Sequence, residues 1–200
     1  MTNMIVVIDY KAGNLYNVGN ALRHLGGAFA FSADPAVVEK ASKVILPGVG
    51  SARPAMESLE QLGLVPVLKQ LSVPFLGICL GLQLLFERSD EEQTDCLGIL
   101  PGTVKRFDST RLKVPHIGWN QVCSQDGDSL FDGVPDQSSF YFVHSFYAPL
   151  IEGVTKGTTD YGECFSSAVA KGNYRGVQFH PERSGELGLR VLRNFLEDPA

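Results

Sequence analysis

The sequence lacks the basic surplus and the cysteine spacing that are typical of nucleic-acid-binding and zinc-binding proteins. Lys and Arg number 17 against 22 Asp and Glu, so the net charge is −5 and no cationic excess is present to neutralise phosphates. The four cysteines are widely spaced, without a C-x-x-C pair or a Cys/His cluster. We therefore expect no structural zinc and no nucleic-acid partner, and we interpret the acidic run Asp90–Glu92 as solvated surface.

Long hydrophobic runs are also absent. The most apolar segment, residues 71–82, is short and is interrupted by Ser72, Pro74 and Gly77, so it does not suit a membrane span. The N-terminus has no basic region followed by an apolar stretch, which argues against a secretion signal. We expect a cytoplasmic protein with free thiols and no membrane partner.

The composition is that of one globular domain, residues 1–200, with 44% hydrophobic residues. In the first half, short apolar runs alternate with segments of helical periodicity; the runs are residues 4–9, 28–31, 43–46 and 73–76. Such β-α alternation predicts an α/β fold with a doubly wound, mostly parallel sheet and helices on both faces, as in flavodoxin-like proteins.

From about residue 98 the pattern changes, because strand candidates follow one another without a long helix between them. They are residues 103–107, 119–123, 139–147, 165–171 and 174–179. This half predicts a C-terminal antiparallel or mixed strand extension, closed by a helix over residues 184–196. In doubly wound sheets, sites form at the carboxyl ends of strands, where the turns 9–14, 47–50 and 77–81 are expected.

The segment Gly77-Ile78-Cys79-Leu80-Gly81 has the G-x-nucleophile-x-G form of a nucleophile elbow, with cysteine in place of serine. A buried strand leads into it and a helix over residues 80–88 is expected to follow. Such a turn strains the nucleophile's backbone, and its flanking glycines avoid collisions with neighbouring main chain. The amides at the helix N-terminus stabilise a thiolate. Taken alone, this window also suits a buried structural cysteine.

A thiol nucleophile requires a base, and His180 is the best candidate. In Gln-Phe-His180-Pro-Glu182, residues two apart in extended chain point to the same side, and the proline disfavours helix at His180. Glu182 can then orient His180 and leave its other ring nitrogen for Cys79. The alternative is a strand-end histidine beside a surface glutamate. The other histidines fall on an exposed helix face (His24) or in strand regions (His116 and His144).

Chain order separates this set from one well-known hydrolase class. Here the order is Cys, His, Glu, with His180 and Glu182 two residues apart. In α/β-hydrolases the acid precedes the histidine and lies far from it, so the elbow is shared but that fold is not expected.

With these residues in place, the sequence resembles the class I glutamine amidotransferases, which carry G-x-C-x-G at the nucleophile and H-P-E about a hundred residues later, as here. The resemblance covers essentially the whole chain. Five segments are similar to the glutaminase subunits of imidazole glycerol phosphate synthases: residues 47–50, 76–86, 114–120, 141–145 and 178–185. The resemblance implies glutamine hydrolysis without a metal or cofactor, in histidine biosynthesis.

The resemblance also implies roles for individual residues. Cys79 would form a γ-glutamyl thioester, His180 would move the protons, and Glu182 would orient His180. Oxyanion donors would come from the Leu80 N–H and from the loop at Val49 and Gly50. Contacts to the glutamine substrate would come from Gln83, His144, Ser145 and Phe146.

A second subunit is implied as well, a (β/α)8-barrel cyclase that receives the ammonia and forms a heterodimer with this chain. It would convert the nucleotide PRFAR to imidazole glycerol phosphate and AICAR. Family positions that face the cyclase are Asn14, Trp119 and Arg183. From the sequence alone, Trp119 suits an interface or a core equally well. Lys11 stands where glycine is common, which predicts that the first turn is not left-handed.

Three other readings remain at this point. The same chemistry could serve another synthase, in pyridoxal phosphate synthesis or chorismate amination, although the Pro-Gly-Val-Gly and Val-Pro-His-Ile-Gly-Trp-Asn segments favour the histidine pathway. A stand-alone γ-glutamyl cysteine hydrolase would be active without a partner. A non-catalytic interaction subunit would not need the intact Cys79, His180 and Glu182.

Overall fold

The computed structural model describes residues 4–11, 15–125 and 127–198. The strands of the described chain are β1 (Ile5–Ile8), β2 (Phe29–Ser32), β3 (Lys43–Leu46), β4 (Phe75–Ile78), β5 (Arg88–Ser89), β6 (Thr94–Asp95), β7 (Thr103–Arg106), β8 (His116–Ser124), β9 (Ser138–His144), β10 (Phe146–Tyr147), β11 (Thr155–Asp160), β12 (Cys164–Lys171) and β13 (Tyr174–Val177). The helices are α1 (Leu15–His24), α2 (Pro35–Val38), α3 (Ala52–Gln61), α4 (Leu64–Lys69), α5 (Leu80–Gln83) and α6 (Gly185–Glu197). Short 3₁₀ turns span Glu91–Gln93, Ser129–Phe131 and Pro181–Arg183.

Within the described ranges, the central sheet has nine strands in the order β2-β1-β3-β4-β13-β12-β11-β8-β9. The first five of these pair in parallel, and the remaining four continue the sheet in antiparallel pairs. The predicted doubly wound sheet with an antiparallel extension is therefore confirmed. A second, smaller sheet has the order β10-β7-β5-β6.

Helices cover the parallel strands on both faces. Successive residues of β1 alternate between two hydrophobic clusters, with Val6 and Ile8 in one and Ile5 and Val7 in the other. The first cluster contains the buried side chains of α3 and α4, and the second contains those of α1 and α6. Each fully buried aliphatic side chain contributes about 1.5–3 kcal/mol, so the two faces hold the sheet firmly.

Three neighbouring strands end at the same edge of the sheet. Pro47 follows β3, Cys79 follows β4, and Gln178 follows β13 two residues before His180. Because these strands are parallel and adjacent, their carboxyl ends bring the three following segments together.

The helix after Cys79 is shorter than predicted, since α5 ends at Gln83 and Arg88 lies in strand β5. The backbone carbonyls of Leu84, Leu85 and Phe86 accept hydrogen bonds from the N–H groups of residues 97–100. That tertiary pairing replaces helical bonds, and the helical periodicity of residues 80–88 did not reveal it. The sequence also missed α4 and the threonine-rich β11, and it merged β9 with β10.

The expectation for the first turn is wrong at Lys11, which has φ +64° and is left-handed. Its backbone N–H donates to the Asp9 carboxylate at 3.3 Å, and this local bond offsets part of the cost of the left-handed conformation, about 1–2 kcal/mol. Ala12–Asn14 lie outside the described residues, so the expected interface position Asn14 is not described. Within the described residues, no helix is long and apolar enough to cross a bilayer.

Candidate active site

Cys79 occupies a strained turn between β4 and α5. Its φ is +54° and its ψ −105°, a backbone conformation that L-residues rarely adopt, and its N–H donates to the Val177 carbonyl at 2.8 Å. A Cβ added at Gly77 would lie 2.5 Å from the Gly81 carbonyl oxygen, and one at Gly81 would overlap the Leu46 carbonyl oxygen. Both flanking glycines are therefore required for the turn to fold.

His180 lies beside Glu182. The distance from His180 Nδ1 to Glu182 Oε1 is 2.8 Å, and the two side chains are 3% and 1% exposed. The His180 backbone is extended, and Glu182 follows in a 3₁₀ turn that brings its carboxylate back to the ring. Ser184 supports the turn, because its hydroxyl donates to the His180 carbonyl at 2.7 Å.

The charge state of His180 follows from its surroundings. Burial lowers the His180 pKa, but the nearby Cys79 sulfur, followed by Glu182, raises it to about 10 overall. Its Nε2 is buried and makes no hydrogen bond of good geometry within the described chain. With its pKa raised in this way, the imidazole beside a Cys79 thiolate is protonated and holds one proton on the side away from Glu182. Such an imidazolium stabilises a thiolate on Cys79.

A cavity of about 300 Å³ opens at this edge of the sheet. The predicted substrate residues all line it together with the nucleophile and the histidine: Val49, Gly50, Cys79, Leu80, Gln83, His144, Ser145, Phe146 and His180. The sequence missed three further lining residues, Glu91, Pro115 and Val143.

Asp90 and Glu92 are exposed, as the interpretation of residues 90–92 as solvated surface requires, but Glu91 departs from it. Its Oε2 accepts from the Ala52 N–H at 2.7 Å, where the Ser51 side chain provides no cap for α3. Glu91 therefore satisfies an N-terminal amide of α3 from a distant segment. No local signal could have revealed this, since the two residues are 39 positions apart.

The loop at Val49 and Gly50 is anchored on both sides but not in the middle. The Tyr10 hydroxyl donates to the Pro47 carbonyl at 2.9 Å on one side, and Glu91 holds Ala52 on the other. Within the described chain, no hydrogen bond engages the backbone of Val49 or Gly50. Gly50 has φ +95° and an open space around its Cα. The N–H groups of this loop, with that of Leu80 at the start of α5, are thus free to bind an oxyanion.

Gln83 and His144 meet at one backbone carbonyl. The Gln83 amide nitrogen and the His144 Nδ1 each lie 2.8 Å from the Phe146 carbonyl oxygen. His144 Nε2 lies 3.0 Å from His116 Nδ1. Both nitrogens of His144 are therefore occupied, and its ring shapes the cavity wall rather than offering a free N–H to a substrate.

Trp119 is on the surface, so the alternative of a core tryptophan is wrong. Its side chain is 59% exposed on β8, next to Ile117, which is 58% exposed. The Trp119 ring lies 6.2 Å from that of Tyr141, and the Arg183 guanidinium lies 4.3 Å from the same Tyr141 ring. Trp119 and Arg183 therefore belong to one surface patch beside His180.

The described ranges contain no group of three or more His, Cys, Asp or Glu side chains arranged to hold a metal ion. Cys96, Cys123 and Cys164 are unpaired and lie outside the cavity. The chemistry that this arrangement can perform is nucleophilic, because a thiol nucleophile, a buried proton donor with its orienting carboxylate, and free amides meet at one cavity.

Comparison with known proteins agrees with this chemistry. A family model for glutamine amidotransferase class-I matches residues 6–198. The chain is 50% identical over 198 residues to the imidazole glycerol phosphate synthase subunit HisH of Moorella thermoacetica, covering 96% of this chain and 94% of that protein. It is 46% identical over 205 residues to the same subunit of Aromatoleum aromaticum, covering 96% and 97%.

The fold is similar to that of a crystal structure of a glutamine amidotransferase, with a TM-score of 0.72 and 22% identity, covering 96% of this chain and 97% of that one. At this identity the likeness shows the fold alone. The family model and the near-full-length relatives show more: this chain belongs to the class I glutamine amidotransferase family.

Proposed function

We propose that this chain is the glutaminase subunit of an imidazole glycerol phosphate synthase and hydrolyses L-glutamine to glutamate and ammonia in histidine biosynthesis. The observation that carries the proposal is that Cys79 and His180 line one cavity and that Glu182 is hydrogen-bonded to His180. The identity of about half to HisH subunits over nearly the whole chain supports the pathway.

In the first half of the reaction, the Cys79 sulfur attacks the side-chain amide carbon of glutamine. The S–C bond forms and the carbonyl electrons move to oxygen. His180 then gives its Nε2 proton to the amide nitrogen, the C–N bond breaks, and ammonia leaves. A γ-glutamyl thioester on Cys79 and a neutral His180 remain.

In the second half, neutral His180 takes a proton from water as the oxygen attacks the thioester carbonyl. The S–C bond breaks, its electron pair returns to the sulfur, and the product leaves as the side-chain carboxylic acid, which loses its proton to water to give glutamate. Cys79 is a thiolate and His180 an imidazolium again, so the cycle is closed. Glu182 stabilises the imidazolium and, when the ring is neutral, keeps its proton on Nδ1.

The tetrahedral intermediates carry a negative oxygen. We assign its binding to the Leu80 N–H and to an N–H of the Val49–Gly50 loop, each worth about 3–4 kcal/mol in the transition state. The loop's free middle suits a peptide that reorients during the cycle, because its anchors at Pro47 and Ala52 stay in place.

The amino-acid end of glutamine carries an ammonium and a carboxylate. In this proposal the Glu91 carboxylate attracts the ammonium, and Ser145, Phe146 and His144 shape the wall around it. Gln83 keeps its oxygen available for the substrate, since its amide nitrogen is bonded to protein carbonyl groups.

The proposal includes the barrel cyclase as partner, with PRFAR as its nucleotide. Trp119, Ile117 and Arg183 form an exposed apolar and cationic patch close to His180, which suits a docking face near the residue that releases ammonia. Asn14 belongs to the proposed interface as well. We further propose a single domain acting in the cytoplasm, where thiols remain reduced.

A glutaminase assay on the purified chain, with and without the barrel cyclase and its nucleotide, tests this function. We expect glutamate release that increases when the cyclase and nucleotide are added. Full activity without any partner would instead indicate a stand-alone hydrolase, and stimulation by a different synthase would assign the chain to another pathway.

A further inference from the structure

Gln178 is a buried polar residue that the mechanism above leaves unused. It is fully buried, and its side-chain Nε2 lies 3.6 Å from Cys79 Sγ, within hydrogen-bond distance for sulfur. It belongs to the segment that carries His180 and Glu182, and residues 178 and 180 approach the same sulfur from the end of β13. The question is whether Gln178 presents its amide nitrogen or its oxygen to the nucleophile.

The Phe146 carbonyl settles this orientation. A carbonyl oxygen can only accept, so Gln83 must direct its amide nitrogen to it, at 2.8 Å. The same Gln83 nitrogen lies 3.0 Å from Gln178 and donates to its side-chain oxygen. Because the oxygen of Gln178 is thereby used, its NH₂ group faces the sulfur and donates to it.

A second donor holds the same carbonyl in place. His144 Nδ1 also donates to the Phe146 oxygen, and His144 Nε2 then accepts from His116 Nδ1. Burial lowers the pKa of both rings, so the two histidines are neutral and their tautomers are defined by these bonds. The network therefore gives Gln178 one fixed donor direction.

Besides Gln178 and the nearby His180, the Val143 carbonyl lies 4.0 Å from the sulfur. A carbonyl can accept a hydrogen bond from a thiol but cannot stabilise a thiolate. Gln178 thus supplies a neutral donor to the sulfur, and a protonated His180 supplies the charge that compensates a thiolate.

We propose that Gln178 is a further catalytic residue, which donates an N–H hydrogen bond to the Cys79 sulfur when that sulfur is a thiolate. It acts before attack, when it orients the sulfur, and again in thioester hydrolysis, when the S–C bond breaks and the electron pair returns to the sulfur. Gln178 keeps its own protons in both steps. This inference rests on the proposed function, because it assigns a role within that reaction.

The test compares Gln178→Met, which keeps the size but removes the donor, with wild type. The purified chain is treated with iodoacetamide at pH 7, and mass spectrometry follows modification of the Cys79 peptide, so that the other three cysteines do not interfere. Ser167→Ala is the matched control, because the Ser167 carbonyl accepts from the Gln178 backbone N–H while its own buried hydroxyl makes no hydrogen bond within the described chain. Thermal unfolding verifies that each variant is folded.

We expect Cys79 in Gln178→Met to be alkylated about 10- to 100-fold more slowly than in wild type, as loss of a hydrogen bond to a charged group predicts. In the complex with the cyclase, kcat should fall by a similar factor, with thioester hydrolysis also slowed. Ser167→Ala should match wild type. If Gln178→Met does not fold, Gln178→Asn decides, since it keeps a buried amide that is too short to reach the sulfur.

Alkylation at the wild-type rate would overturn the inference, and a raised KM with unchanged alkylation would show that Gln178 serves only to hold Gln83. This alkylation test needs neither glutamine nor a partner. A wild-type complex without glutaminase activity would contradict the proposed function, whereas the alkylation rates would still report on Gln178.

Discussion

His116 Nδ1 lies 3.0 Å from His144 Nε2, and both rings are buried in the wall behind the cavity. The Phe146 carbonyl requires the proton on His144 Nδ1, so the proton between the rings belongs to His116. Burial lowers the pKa of His116 to about 4 and that of His144 to about 3. This neutral pair positions the carbonyl that Gln83 shares, and it does not act as a proton shuttle at neutral pH.

The histidine pair predicts acid sensitivity. In the unfolded chain both imidazoles take up protons near pH 6.5, whereas the folded protein resists protonation until about pH 4. Their contribution to stability is therefore complete above pH 6.5 and is lost as the pH falls from 6.5 towards 4 and 3. Urea unfolding at several pH values should show the free energy of unfolding falling over this window by several kcal/mol.

A variant identifies the source of this acid sensitivity. His116→Asn should give a shallower loss of stability between pH 6.5 and 4, because one buried imidazole is removed. His24→Asn, at an exposed position on α1, is the control and should follow wild type. An unchanged slope in His116→Asn would contradict the assignment.

The contribution of His180 to stability should change with pH in the direction opposite to that of the His116–His144 pair. Its raised pKa of about 10 depends first on Cys79, so Cys79→Ala leaves Glu182 alone to oppose burial. We expect the His180 pKa to fall by about two units or more, measured by NMR of histidine-labelled protein. In wild type, the stabilisation from this group is full below pH 6.5 and is lost as the pH rises towards 10. A His180 titration that is the same in both proteins would refute the thiolate–imidazolium pair.

The sequence predicted the parts of this molecule that depend on local pattern. Cys79 and its glycines follow from the steric demands of a strand-to-helix turn, and the extended His180 from the proline after it. Glu182 does meet His180, but through a 3₁₀ turn rather than the extended chain that was expected. The α/β alternation of the first half reflects strands buried on both faces, which read as short apolar runs.

The parts that were missed depend on contacts between distant segments. Helix α5 ends early because the N–H groups of residues 97–100 donate to the carbonyls of Leu84–Phe86. Glu91 lies at the site because its carboxylate accepts from the Ala52 N–H. Lys11 adopts a left-handed conformation with support from the Asp9 side chain. Gln178 and His116 carry no local signal for their roles, since these arise only when β4, β13, β8 and β9 are assembled.

Glu91 should have two roles: it caps the Ala52 N–H and its charge attracts the ammonium of glutamine. Two substitutions separate these roles. Glu91→Ala removes the acceptor for the Ala52 N–H and should cost about 1 kcal/mol of unfolding free energy. Glu91→Gln keeps an acceptor but removes the charge, so stability should be retained while the KM for glutamine rises about tenfold or more. Steady-state kinetics of the complex and urea unfolding measure the two effects.

Glu92→Gln is the control for this experiment. Its carboxylate pairs with Arg53 at 2.8 Å, but both side chains are about half exposed, so the variant should lose at most about 0.5 kcal/mol and keep its KM. A wild-type KM in Glu91→Gln would show that the Glu91 charge does not contribute to glutamine binding.

Trp119 should carry much of the affinity for the cyclase. Because its side chain is 59% exposed, Trp119→Ala should fold normally, and loss of an aromatic hot spot of about 2 kcal/mol should weaken binding about 30-fold. Isothermal titration calorimetry with the cyclase measures this. Leu150→Ala, at a side chain that is 50% exposed outside the proposed face, should bind like wild type. Equal affinity for the Trp119 variant would place the interface elsewhere.

The central claim is that Cys79 releases ammonia from glutamine for the partner subunit. The most direct measurement is product formation by the complex that carries Cys79→Ala, supplied with PRFAR and either glutamine or free ammonia. The account predicts no glutamate release and no product from glutamine, with product still formed from ammonia, because the cyclase is intact. Glutamine-dependent product formation near the wild-type rate would contradict it.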